Sequence, residues 1–452
     1  MPAATLETDL YQLTMAAGYF HRGLAPTVAT CELFVRRLPR ARRYLVAAGI
    51  ERALDHLATL SFAEDEIAFL REIPALRDAM TPGFCEALAR LRFSGEAWCV
   101  AEGTAVFANE PLLRIRAPVI EAQLVETHLL SVVNHATMVA SKAARIVRAA
   151  AGRDVFEFGT RRTHPEAAVD AARAAYLVGA AGTSNVEASR RFGIPVMGTA
   201  AHMWTMTHES EEQAFANYVA TFPSATILLV DTYDTVRGAE RAARVAGARL
   251  KGVRLDSGDL AALSREVRAR LDAAGCTAAR IVASGDLDEH AIAHLVGAGA
   301  PIDAFGVGTE LVTSGDAPSL GGVYKVVELE RGGKTRPIAK FSEGKATFPG
   351  AHQVFRCRDA AGKLAGDVLA LADEAPPEGS APLLERRIAA GARLGPAVEL
   401  ATSRAHALAE LDGLPAALHA LEPFAEGERG YAATPSQELL ALSELVRRKA
   451  GR

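Results

Sequence analysis

Val196-Met197-Gly198-Thr199-Ala200-Ala201-His202-Met203-Trp204 is the stretch on which the reading of this chain turns. A short apolar run after Pro195 reads as a buried strand. The run stops at Gly198-Thr199, and a histidine arrives within four residues. Ser210-Glu211-Glu212-Gln213 then has the spacing of a capping box, a hydroxyl at the cap and a side-chain amide three residues on, which opens the next helix. His202 therefore falls in the loop between the C-terminal end of a strand and a helix. In parallel α/β folds that end of the sheet is where chemistry is assembled. A histidine in a tight loop can equally do no more than satisfy its own hydrogen bonds, so the flanking chain has to decide.

Outward from this stretch, from Asp154 onward, strands and helices alternate. Strands are expected at 155–158, 195–198, 227–230, 253–255, 280–283 and 302–306, with helices between them at 165–178, 214–221, 236–246, 260–274 and 287–297. A spacing of roughly 25 to 30 residues per unit suits a parallel crossover repeat. Six such units in one run predict a barrel or a doubly wound sheet.

The flanks differ. Ahead of the repeat, 11–20 reads as a helix and 30–34 as a strand, followed by two amphipathic helices near 49–60 and 64–73. Segments 98–107 and 112–115 alternate like strands of an antiparallel sheet, and 120–150 is apolar-periodic over its length, one long helix or two in series. Beyond the repeat, short strands are expected at 324–329, 337–341 and 353–357. Gly332-Gly333 marks a hairpin turn, 374–378 is Pro- and Glu-rich and exposed, and a closing helix is expected within 435–449.

Composition narrows the function classes. The chain has 452 residues, 49% apolar and 23% charged, enough for more than one domain and a large core. A net charge of −4 makes no case for nucleic acid or an anionic membrane. No apolar run approaches the length needed to span a bilayer. Glu7 and Asp9 stand where a signal peptide would be basic and then apolar. Cys31, Cys85, Cys99, Cys276 and Cys357 form no CxxC pair, which argues against zinc and against a disulfide framework and fits a cytoplasmic protein.

The strand ends carry the chemistry. In order they read Glu157-Phe158-Gly159-Thr160-Arg161-Arg162, Gly198-Thr199 with His202, Asp231-Thr232-Tyr233-Asp234, Arg254-Leu255-Asp256-Ser257-Gly258-Asp259, Ser284-Gly285-Asp286 and Gly306-Val307-Gly308-Thr309. Any one could be a helix cap, and Asp259 and Asp286 are read that way. Six polar ends in register need more, because arginines and carboxylates at a barrel mouth are costly unless something binds them. Arg161, Arg162 and Arg254 can grip a carboxylate or phosphate through two nitrogens. Gly306 to Thr309 and Ser284-Gly285 can offer bare backbone N–H groups to a phosphate. Asp256 can accept from sugar hydroxyls or hold a metal through water. A phosphorylated sugar is the natural occupant. Gly333-Lys334-Thr335 looks like the end of a P-loop, but Glu328 stands where glycine is required, and Gly306-Val307-Gly308 is too short for a dinucleotide fingerprint.

These motifs resemble nicotinate phosphoribosyltransferases. The resemblance is carried by 8–15 (Thr-Asp-Leu-Tyr-Gln-Leu-Thr-Met), Phe158 to Arg162, Gly182-Thr183-Ser184-Asn185, Gly198 to His202, Asp231 to Asp234, Arg254 to Asp259 and 318–325 (Pro-Ser-Leu-Gly-Gly-Val-Tyr-Lys), in that order. It implies a type II phosphoribosyltransferase fold, an irregular α/β barrel with a mixed α+β domain built from both chain ends. The segments would be 1–120, the barrel at 121–322, and 323–452 rejoining the first. It also implies a homodimer with active sites at the subunit boundary. The reaction would join nicotinate to 5-phosphoribosyl 1-diphosphate, with ATP hydrolysed and Mg2+ required.

The resemblance further implies roles. His202 would be phosphorylated by ATP and Asp231 would orient it. Phe158 would sandwich the pyridine ring together with Tyr11 of the partner subunit. Arg161 would meet the nicotinate carboxylate or a nearby phosphate. Ser184, a neutral hydroxyl, would favour the acid over the amide, unless it only caps the following helix. Arg254 and Asp256 would hold the phosphoribosyl group, with Thr199 beside the histidine. Gly285, Gly306, Gly308 and Thr309 would cradle the 5-phosphate. Many relatives have Ser where this chain has Met203, and the C-terminal cysteine cluster of some relatives is absent here. The resemblance assigns no metal ligands. Nicotinamide phosphoribosyltransferase, the decarboxylating quinolinate enzyme and a non-catalytic sugar-phosphate-binding barrel remain as alternatives at this point.

Overall fold

A computed structural model describes residues 5–342, 346–424 and 431–451. The chain divides into two compact units, Met1–Met138 with Ser319–Arg452, and Val139–Pro318.

The second unit holds the strand–helix repeat. Its strands are β1 (Asp154–Glu157), β2 (Gly182–Thr183), β3 (Ile227–Leu229), β4 (Gly252–Leu255), β5 (Arg280–Ala283) and β6 (Ala304–Val307). They form one parallel sheet in the order β2-β1-β6-β5-β4-β3. The register pairs Phe156 with Gly182, Phe305 with Val155, and Leu228 with Val253. Because the first strand lies between the second and the last, the sheet curls back on itself as a barrel does. Val196 adds a single parallel bridge to Thr183, and no ladder of the described residues joins it to β3. The barrel is thus irregular and open on one side, the fold class expected from the sequence.

Local signals account for most of the helices. Asp234, Asp259 and Asp288 each accept from a backbone N–H three residues on, at 2.9, 3.0 and 2.7 Å, and so start the helices Thr235–Ala246, Leu260–Ala273 and Glu289–Gly297. The Thr235–Ala246 helix buries a face of alanines, Ala239, Ala242, Ala243 and Ala246. That face lies so close to the sheet that a Cβ on Gly238 would come within 2.1 Å of the Val230 carbonyl oxygen. Ser210 accepts from Gln213 N at 3.2 Å as expected. In the reciprocal bond Gln213 Oε1 accepts from the backbone N–H of Glu209, one residue earlier than a capping box requires.

Two expectations are corrected here. Segment 195–198 is not a buried strand: Val196 is 52% exposed, and only Ile194 before it is buried. The second barrel strand is Gly182–Thr183, two residues with no apolar run to announce them. Thr183 N donates to Pro195 O and Met197 N to Thr183 O, both at 3.0 Å, and a Cβ on Gly182 would lie 2.4 Å from that same Pro195 oxygen. Asp286 caps nothing. It sits in the left-handed region at φ 47°, after Gly285 at φ 100°, and Asp288 caps the helix instead.

In the first unit, both chain ends interleave in one antiparallel sheet. Val28–Val35 lies between Gly322–Arg331 on one side and Pro111–Pro118 on the other. Segment 98–107 divides between two sheets: Glu96–Cys99 pairs with Pro111–Pro118, and Ala105–Val106 pairs with Leu45–Val46. Gly103, at φ 100°, turns the chain between them. The Gly332-Gly333 hairpin forms, both glycines at positive φ and Arg331 opposite Lys334. A two-residue turn requires the return strand to start at once, so it is Lys334–Pro337 and not 337–341. The long apolar segment is two helices in series, Val119–Leu124 and Glu126–Ala149. Among the described residues, no helix is long and apolar enough to cross a membrane.

Candidate active site

The carboxyl ends of the barrel strands bring together residues that are far apart in sequence. At the end of β1 the chain turns through Phe158 and Gly159. Phe158 N donates to Val307 O at 2.8 Å, which holds the turn against β6. The Phe158 ring lies over Gly306, where no side chain exists to displace it. The Arg254 guanidinium carbon stands 5.6 Å from the centre of the same ring, within cation–π range. Arg161 and Arg162 follow on a short turn, Thr160–Arg162, and both are exposed.

At the end of β2, Ser184 N donates to Glu157 O at 2.9 Å. The following helix, Val186–Phe192, is capped by Asn185, whose Oδ1 accepts from Ala188 N at 2.9 Å. The Ser184 hydroxyl, read from sequence as a possible cap, is not needed for that and has no hydrogen-bond partner among the described residues.

Arg254, leaving β4, is the hub. Its Nε donates to Ser284 Oγ at 2.8 Å, Nη1 to Thr199 Oγ1 at 3.1 Å, and Nη2 to Asp256 Oδ1 at 2.7 Å. One guanidinium thus joins three separate loops. Asp256 Oδ1 also accepts from the Ser284 hydroxyl. Burial works to raise the Asp256 carboxyl, but the Ser284 hydrogen bond and the charge and hydrogen bond of Arg254 hold it below the usual carboxylate range. Its Oδ2 points toward His202 Nε2, 4.0 Å away.

His202 opens the short helix His202–Met206, its side chain 42% exposed. Nδ1 lies 3.2 Å from Thr232 Oγ1. Asp231, expected beside the histidine, spends Oδ2 on Asp256 N at 2.9 Å and Ser257 Oγ at 2.8 Å. Its Oδ1 is buried without a hydrogen-bond partner among the described residues. Met203 is 74% exposed.

Glycines shape the remaining wall. A Cβ on Gly285 would meet Asp256 O at 2.1 Å, so this turn packs directly on the Asp256 backbone. Gly308 precedes the turn Thr309–Val312, whose first amides lack an acceptor within the turn. The barrel unit thus gathers Phe158, Ser184, Thr199, His202, Asp231, Arg254, Asp256, Gly285, Gly306, Gly308 and Thr309 around the same strand ends. Tyr11 belongs to the other unit, 48% exposed on the helix Leu10–His21. Sequence reasoning left Ser284, Thr232 and Glu157 without side-chain roles, although all three stand at the expected strand ends. Glu157 had a signal of its own, an acidic residue closing an apolar strand.

A rigid cation, a carboxylate with one open oxygen, aligned glycine turns and a half-exposed imidazole suit an anionic sugar. Comparison with known proteins points the same way. Residues 6–134 match the nicotinate phosphoribosyltransferase (NAPRTase) N-terminal domain, and residues 154–347 match the NAPRTase family. Nicotinate phosphoribosyltransferase pncB2 of Mycobacterium tuberculosis is 45% identical over 424 residues, 92% of this chain and 89% of that protein. Nicotinate phosphoribosyltransferase of Bacillus subtilis is 45% identical over 380 residues, 82% of this chain and 76% of its own length. The crystal structure of human nicotinic acid phosphoribosyltransferase is similar with a TM-score of 0.83 at 29% identity, covering 97% of this chain and 99% of that one.

Proposed function

The chain belongs to the nicotinate phosphoribosyltransferase family, and we propose that it joins nicotinate to 5-phosphoribosyl 1-diphosphate, giving nicotinate mononucleotide and diphosphate for NAD salvage. The observation that carries this reading is the Arg254 hub, which fixes Asp256, Ser284 and Thr199 around one open carboxylate oxygen beside His202. Asp256 Oδ2 is suited to accept from the ribose hydroxyls, and the turns at Gly285 and Gly306 to Thr309 to receive the 5-phosphate. Phe158 offers a face for the pyridine, with the Ser184 hydroxyl and Arg161 as partners for its carboxylate.

The chemistry follows from charge. Loss of diphosphate leaves an oxocarbenium-like ribose carbon, and the pyridine nitrogen attacks from the opposite face. Positioning and electrostatics supply most of the acceleration. Mg2+ would supply neutralisation of the leaving group. No group of three or more His, Cys, Asp or Glu among the described residues is arranged to cage a metal ion. Asp256, and Asp231 through the Oδ1 that has no partner among the described residues, would be the groups to hold such an ion through water.

In the ATP-coupled step, His202 would take the phosphoryl group. The contact of Nδ1 with Thr232 supports Nε2 as the nucleophile, since Nε2 is the ring nitrogen without a protein hydrogen bond among the described residues. A homodimer is part of this reading, with Tyr11 of the partner subunit closing the pyridine site. So are a cytoplasmic location and a barrel segment at 121–322 flanked by a mixed domain from both chain ends. The test is direct: purified protein is incubated with nicotinate, nicotinamide or quinolinate, together with 5-phosphoribosyl 1-diphosphate and Mg2+, with and without ATP. Nicotinate mononucleotide should form from nicotinate, faster with ATP. Exclusive use of another pyridine, or binding without turnover, would overturn the proposal.

A further inference from the structure

Glu157 closes β1 with its side chain 0% exposed. A carboxylate in that position is costly unless both oxygens are paired. Oε1 accepts from the backbone N–H of Gly159, and Oε2 from the hydroxyl of Thr183. Thr183 Oγ1 accepts in turn from Asn185 N at 2.9 Å. The side chain therefore spans from the turn that carries Phe158 to the turn that carries Ser184. Neither turn has slack. A Cβ on Gly159 would meet Val312 Cγ1 at 2.3 Å, and Ser184 N is already bound to the Glu157 carbonyl at 2.9 Å. An apolar residue of the same volume could fill the space but could not tie the two turns together.

We propose that Glu157 is a positioning residue for pyridine recognition: its carboxylate sets the separation between the Phe158 ring and the Ser184 hydroxyl. The inference rests on the assignment of those two residues to the pyridine pocket. Burial raises the Glu157 carboxyl above the usual range, against the hydrogen bonds from Thr183 and Gly159. Those two donors favour the ionised form, since a protonated carboxyl would turn one oxygen from acceptor to donor. Shortening the side chain by one methylene, or removing the Thr183 hydroxyl, breaks the span while leaving the barrel in place.

Glu157→Asp and Thr183→Val, each checked for a cooperative melting transition, should raise the KM for nicotinate about tenfold or more. The KM for 5-phosphoribosyl 1-diphosphate should stay within about twofold, and Thr183→Ser should behave like the wild type. Equal rises in both KM values, or no rise in either, would overturn the inference and leave Glu157 a general support. Amide exchange reads the bridge independently of turnover: Gly159 and Asn185 should exchange faster in Glu157→Asp than in the wild type. If wild type does not use nicotinate, the functional reading falls by itself. Unchanged exchange at Gly159 and Asn185 would overturn the bridge whichever pyridine is used.

Discussion

Gly306 lies directly beneath the ring of Phe158: a Cβ added to Gly306 would sit 2.4 Å from Phe158 Cδ2 and 2.5 Å from Cε2. Gly306→Ala must therefore push the ring off the strand, because overpacking of this kind costs about 1–3 kcal/mol. We expect the KM for nicotinate to rise roughly tenfold, the equivalent of about 1.4 kcal/mol. The KM for 5-phosphoribosyl 1-diphosphate should rise too if Gly306 also lines the phosphate site. Steady-state kinetics with each substrate varied in turn measures both, and an unchanged nicotinate KM would remove Phe158 from the pocket.

His202→Ala should abolish nicotinate-dependent ATP hydrolysis and leave the melting temperature nearly unchanged, since the side chain is 42% exposed. Label from γ-labelled ATP, acid-labile and base-stable, should appear on the wild type only. Equal labelling of the variant would place the phosphoryl acceptor elsewhere.

Ser184→Asp tests selection of the acid over the amide. Asn185 caps the following helix, so the substitution leaves the cap intact. A second carboxylate facing that of nicotinate should lower kcat/KM about tenfold or more, the effect of roughly 1.4 kcal/mol of repulsion. A variant as active as wild type would shift the selection to Arg161.

Tyr11 is tested by mixing subunits. Tyr11→Ala should raise the nicotinate KM, since aromatic stacking on a base is worth roughly 1–3 kcal/mol. Heterodimers of Tyr11→Ala and His202→Ala subunits should regain activity if the site is completed by the partner. Verified heterodimers that stay inactive would argue for a site made within one chain.

Acid should destabilise the protein through a stacked histidine pair, His56 buried and His128 half-buried. His56 and His128 stack with ring centres 3.7 Å apart. Burial first, and the His128 charge second, push the His56 imidazole down to about 3. Burial lowers His128 as well, opposed by Glu7 and reinforced by Arg52. The folded state thus binds fewer protons than the unfolded chain between about pH 6.5 and the folded value. The stability from neutral His56 is complete above pH 6.5 and is lost as the pH falls. At about 1.4 kcal/mol per pH unit, the loss from His56 by pH 4 is up to about 3 kcal/mol. Melting temperatures from pH 7 to pH 4 should fall less steeply in His56→Gln than in wild type. Parallel curves would show that other groups govern acid sensitivity.

What the sequence by itself determined is what short-range chemistry determines. Asp259 announces its helix because a cap and the N–H it accepts from are three residues apart. The Gly332-Gly333 turn is legible because positive φ is a property of the residue itself. The repeat of strand and helix placed Arg254 and Asp256 at a strand end for the same reason, whereas the strand expected ahead of His202 did not form.

The tertiary structure alone decided the rest. β2 is two residues long, and its existence depends on its pairing with β1 and on hydrogen bonds to Pro195 and Met197, which no local pattern records. Glu157 and Thr183 are 26 residues apart, and Arg254 and Thr199 are 55 apart. Their meeting depends on the register of parallel strands. The partners of His202 depended on the same geometry. Asp231 is in the right loop, but its carboxylate turns to the backbone amide of Asp256, and Thr232 faces the ring. Sequence names the strand end on which a side chain stands. Which group it meets across the barrel mouth is a matter of a few ångströms, and those are set only when the strands lie side by side.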